Sequence, residues 1–92
     1  MIRSFKHGGL EKFYKTGSKA GIQPAHAKKL EEQLTLLDNA KRPENMNVAG
    51  WGFHPLKGKL AGHFAVSVNG NWRLTFRFVD TDAEVVDYRD YH

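Results

Sequence analysis

The segment from Gly62 to His92 leaves a short chain few ways to fold. It reads as three strands joined by two turns, Asn69-Gly70-Asn71 and Asp80-Thr81-Asp82. In the middle strand Trp72, Leu74, Phe76 and Phe78 alternate with Arg73, Thr75 and Arg77. That period of two builds a sheet with one face for burial and one that carries cations. The register follows from the same pattern, because a slip of one residue sends every side chain to the wrong face. A two-residue Asn69-Gly70 turn would set Val66 against Arg73 and Val68 against Asn71, splitting the apolar sets. A three-residue Asn69-Gly70-Asn71 loop instead pairs Val68 with Trp72, Val66 with Leu74 and Phe64 with Phe76, with a bulge supplying the extra residue.

Upstream of this segment the pattern turns helical. Residues 2–5 read as a short strand, and Leu10, Phe13 and Tyr14 lie at i, i+3, i+4 before Gly17, a natural helix end. Pro24 opens a longer helix with an apolar stripe of Ala27, Leu30, Leu34 and Leu37. Lys28, Lys29, Glu31, Glu32 and Gln33 fall outside that stripe and are expected on a solvated face. The helix is expected to stop near Ala40, ahead of Pro43. Residues 42–50 read as a loop, Trp51-Gly52-Phe53 as a short strand, and His54 to Lys59 as a basic, turn-rich stretch. The expected fold is α+β. It has a small, mainly antiparallel sheet of three to four strands with two N-terminal helices packed on its apolar face. Residues 1–92 are expected to form a single domain.

Several function classes are poorly supported. The chain has no cysteine, so disulfides and thiolate metal sites are excluded, in keeping with a reducing cytoplasm. Its start has no apolar run of the kind a signal peptide needs, and no segment reads as a membrane span. No glycine-rich phosphate loop precedes a helix, and there is no nucleophile elbow. Five histidines lie at 7, 26, 54, 63 and 92, none paired at helical spacing with a nearby acid, so no metal site is expected. A net charge of +4 and a pI of about 9.5 favour a polyanionic partner.

The more specific constellation is His54 and Lys57 in the basic stretch, Arg73 on the central strand, and Asp90, Tyr91 and His92 at the end of the sequence. Each has an ordinary reading on its own: a surface histidine, a solvated lysine, an edge arginine and a frayed tail. Adjacent strands can bring Arg73 and the last residues together on one face, and the joint reading rests on that.

The same residues carry a family resemblance. His54-Pro55-Leu56-Lys57-Gly58, Val68-Asn69-Gly70-Asn71-Trp72-Arg73-Leu74-Thr75-Phe76, Asp87-Tyr88-Arg89-Asp90-Tyr91-His92 and the opening Met1-Ile2-Arg3-Ser4-Phe5-Lys6 together resemble a HigB-type toxin of the RelE superfamily. The resemblance implies an endoribonuclease with a fold like that of small microbial ribonucleases. It would cleave messenger RNA in the ribosomal decoding site by attack of the 2′-hydroxyl, without metal or other cofactor. It also implies a cytoplasmic location, the 70S ribosome and mRNA as partners, and a cognate HigA-like helix-turn-helix antitoxin. Promoter DNA would be met only through the toxin–antitoxin complex.

In residue terms, His54 and His92 become acid/base candidates, Asp90 orients one of them, and Tyr91 shapes the site. Lys57 and Arg73 hold the scissile phosphate. Which histidine is the base stays open. This chain has Asn69 where some relatives carry a further basic residue, and Arg77 is weighed as its substitute against an ordinary edge arginine. Two other readings keep the fold and drop the chemistry: a non-catalytic basic module that binds RNA, the ribosome or DNA, and an inert member retained for antitoxin binding.

Overall fold

Local signals set the helix ends. The His7 ring Nδ1 accepts the Leu10 N–H at 2.9 Å and caps α1 (Gly8–Thr16), while Gly17 ends it at φ 80°. Pro24 starts a single 3-10 turn, Pro24–His26, that leads into α2 (Ala27–Asn39). The computed structural model describes residues 1–91. After the helices come β1 (His54–Pro55), β2 (Phe64–Asn69), β3 (Trp72–Val79) and β4 (Asp82–Asp90), an antiparallel sheet in the order β1-β2-β3-β4.

Both helices lie against one face of the sheet. Leu10, Leu30, Leu34 and Leu37 meet Val66, Leu74, Phe76 and Val86 there, and Met46 and Trp51 from the connecting segment complete the core. Each large apolar side chain buried in this layer contributes about 1.5–3 kcal/mol. Gly9 and Gly21 let the backbones of α1 and the following connection touch, since a Cβ on Gly21 would lie 2.5 Å from the Gly9 Cα.

Four expectations are corrected. Gln33 is fully buried and not on the solvated face, because it turns toward the sheet beside Leu34 and donates its Nε2 to the Ser67 carbonyl at 2.8 Å. The short strand is His54–Pro55 and not residues 51–53. Gly52 at φ 60° breaks the extended run, and Trp51 is drawn into the core.

The third correction concerns register. Phe64 does pair with Phe76 and Val66 with Leu74, but Asn69, not Val68, stands opposite Trp72. The turn is the pair Gly70-Asn71, with Gly70 at φ 55°, and Val68 is the bulged residue, still buried. Ser67, just before the bulge, is held from outside the β2–β3 ladder. Its N–H donates to the Trp51 carbonyl at 2.7 Å, and its carbonyl takes the Gln33 amide.

A second bulge interrupts β4 at Val85, which sits at φ 52°. The Val85 N–H donates to Ser4 Oγ at 2.9 Å. The N-terminal stretch runs parallel to β4, with Arg3 N–H on the Ala83 carbonyl and Lys6 N–H on that of Val86. It touches at two isolated bridges, Ile2 with Ala83 and Phe5 with Val86, and does not form the continuous strand expected for residues 2–5. Among the described residues no helix is long and apolar enough to cross a membrane.

Candidate active site

With the helices on one face, strand alternation assigns the residues of the other. His54, Ala65, Thr75 and Asp87 form one row across the four strands. Ser67, Arg73 and Arg89 form the next. His54 and Arg73 are two strands and one row apart, about 12 Å between their backbones. On this face β2 contributes the small side chains of Ala65 and Ser67 to those rows.

His54 is exposed, and its Nδ1 lies 2.8 Å from the Gly52 carbonyl oxygen. A carbonyl can only accept, so Nδ1 carries the proton and Nε2 is the atom able to exchange one. The φ of 60° at Gly52 suits glycine and turns this carbonyl toward the ring.

Arg73 is half-buried and held at one end. Its Nη1 donates to the Gly70 carbonyl at 2.7 Å, the Trp72 carbonyl at 3.1 Å and Ser67 Oγ at 3.3 Å. The guanidinium is thereby fixed over the β2–β3 turn, and no carboxylate among the described residues pairs with it. Tyr91 reaches the same end of the sheet. Its N–H donates to the Asn71 carbonyl at 2.8 Å, continuing the β3–β4 pairing past Asp90. Its ring centre lies 5.5 Å from the Arg89 guanidinium carbon.

Neither Lys57 nor Asp90 belongs to these two rows. Lys57 is exposed in the segment after β1, at the start of the turn Gly58–Leu60. Asp90 stands opposite Trp72, on the Tyr88 side of the sheet and not on the Arg73 side. Its charge falls on the Tyr88 hydroxyl. His92 lies outside the described residues. Arg77 is on the open face but paired with Glu84 at 3.2 Å.

Two residues of this face escaped sequence reading. Arg89 is half-buried opposite Arg73, and the signal for it was its place in the same alternation as Tyr91. His63 is half-buried; loss of solvent first, then the charges of Arg77, Lys6 and Arg89, hold its pKa below the ordinary histidine value. Among the described residues no three His, Asp or Glu side chains are grouped to hold a metal ion.

Comparison with known proteins agrees with this architecture. A family model described as the RelE-like toxin of the type II toxin–antitoxin system HigB matches residues 3–92. The chain is 36% identical to Endoribonuclease HigB of Proteus vulgaris over 92 residues, which is 100% of both chains. It is 32% identical to Toxin HigB-1 of Vibrio cholerae serotype O1 over 82 residues, covering 87% of this chain and 86% of that one. The fold is similar to that of YafQ from E. coli strain BL21(DE3), with a TM-score of 0.65 at 22% identity, covering 98% of this chain and 93% of that one.

Proposed function

This chain belongs to the HigB family of RelE-like toxins of type II toxin–antitoxin systems, and we propose that its endoribonuclease activity is directed at messenger RNA in the decoding site of the translating 70S ribosome. The observation that carries this reading is the helix-free sheet face, where an imidazole with an available Nε2 and an anchored arginine with no carboxylate partner among the described residues stand on the same side of the sheet.

The chemistry follows from those groups. His54 Nε2 takes the proton of a 2′-hydroxyl as its oxygen attacks the adjacent phosphorus. Arg73 and Lys57 offset the charge that builds on the phosphoryl oxygens. The bond from phosphorus to the 5′-oxygen breaks, leaving a 2′,3′-cyclic phosphate, and an acid protonates the departing oxygen. His92 fills that last role by resemblance, with Tyr91 shaping the pocket; Asp90, on the Tyr88 side of the sheet, bears on this chemistry only through His92.

The open face offers cations and imidazoles for phosphate chemistry and, among the described residues, no row of exposed aromatics on which to stack bases. Target choice therefore comes from the ribosome presenting a codon. As a type II toxin the protein has an antitoxin partner; a HigA-like helix-turn-helix protein fits that place. Promoter DNA is then contacted through the complex, and the site of action is cytoplasmic. Incubating the pure protein with one messenger RNA, naked and on translating ribosomes, tests the reading. Cutting confined to the ribosomal sample is expected, and equal cutting of naked RNA would contradict it.

A further inference from the structure

Arg73 and Arg89 stand directly opposite each other on β3 and β4. Like charges in cross-strand register repel, and a sheet gains nothing by placing them there. Relief from within the protein is slight. Among the described residues Arg73 has no carboxylate partner, and Arg89 has only Asp87, at 3.6 Å from its Nε. Asp87 is itself shared, since its Oδ1 accepts the Tyr88 N–H at 2.9 Å.

Both guanidiniums are also oriented before any ligand arrives. Arg73 is pinned through Nη1 to the turn carbonyl of Gly70, and Arg89 is bracketed between Asp87 and the Tyr91 ring. Ser67 completes the row, its hydroxyl within 3.3 Å of Arg73. Two forks of N–H donors and a hydroxyl in one row of one face suit an anion with several oxygens.

We infer that Arg89 is a substrate-binding residue that forms, with Arg73, a two-arginine clamp on an RNA phosphate. The inference rests on the reading of this face as the RNA-cleaving site and adds a contact to it. A bound phosphate lies between the two cations and converts their repulsion into two attractions. The clamp reads backbone and not base, so it strengthens binding to any sequence equally.

The test compares wild type, Arg89→Gln and Arg89→Lys in three measurements: thermal unfolding in low-salt, phosphate-free buffer; binding of a short 2′-deoxy oligonucleotide, which cannot be cut, across a salt series; and cleavage on translating ribosomes. Arg89→Gln is expected to melt no lower than wild type, because the cross-strand repulsion is gone. Its affinity for the oligonucleotide should fall on the order of tenfold, and the slope of log affinity against log salt should shrink by about 0.7. Arg89→Lys should recover part of both. Wild-type affinity and slope in Arg89→Gln would overturn the clamp, as would a binding loss that tracks a lowered melting temperature. If wild type binds in an Arg89-dependent way yet cuts nothing on ribosomes, the clamp stands and the ribosomal reading fails.

Discussion

The Nδ1 of His26 lies 2.6 Å from the Tyr88 hydroxyl, and both side chains are buried. A single hydrogen bond thus joins the start of α2 to β4 two residues before Asp90. The Tyr88 ring stacks on Trp72 at 4.4 Å, and its hydroxyl oxygen also accepts the Gln23 N–H at 3.4 Å. Replacing Tyr88 by Phe keeps the stack and strands two polar groups, so the variant should lose about 1–3 kcal/mol in urea unfolding while its circular dichroism is unchanged.

His63 makes stability depend on pH. Its folded pKa lies below the unfolded value of about 6.5, chiefly because burial disfavours the cation, with Arg77, Lys6 and Arg89 adding to the effect. The unfolded chain therefore binds the proton more readily. The contribution is fully present above pH 6.5 and declines as pH falls from there through the lowered folded value. Unfolding of His63→Gln between pH 5 and 7.5 should vary less with pH than that of wild type.

A methyl group on Gly21 would lie 2.5 Å from the Gly9 Cα, with no flexible side chain to yield. Gly21→Ala should therefore cost about 1–3 kcal/mol through overpacking. Gly8→Ala, in α1 beside Gly9, where a Cβ meets nothing within 4 Å, is the control and should fall within about 0.5 kcal/mol of wild type.

Gln33 holds the carbonyl of the residue preceding the Val68 bulge, and Arg73 reaches the turn just beyond it. Gln33→Leu removes the donor and leaves the Ser67 carbonyl unpaired, which should cost about 1–3 kcal/mol. The variant should also lower cleavage, because the turn carbonyl that anchors Arg73 loses its support.

These residues mark what sequence can and cannot convey. The alternation from Trp72 to Phe78 gave the sheet, its buried face and two of the three expected cross-strand pairs, because period-two burial is written into the residue types. Gln33 and Val68 defeated the same logic. A polar residue is buried when a distant backbone group needs it, and Gln33 answers the Ser67 carbonyl on another element; the bulge at Val68 lies next to that contact and has no mark of its own in the residue types. That Arg73 and Tyr91 share one end of the sheet was legible in the strand pattern. Arg89 was not, since its meaning lies in facing another arginine, a relation visible only once β3 and β4 are paired. Asp90 was legible as a residue and not as a location, because one step of pleat carries it to the opposite side of the sheet from Tyr91.

The central claim is that His54 and Arg73 on the open face act on RNA held by the ribosome. Mapping the 5′ ends of a messenger RNA on translating ribosomes, with wild type, His54→Gln and Arg73→Ala at equal folded concentration, tests it most directly. New 5′ ends within the decoding site are expected for wild type, with their rate of appearance reduced on the order of 100-fold or more in either variant. Unchanged cutting in both variants, or no cutting by wild type, would contradict it.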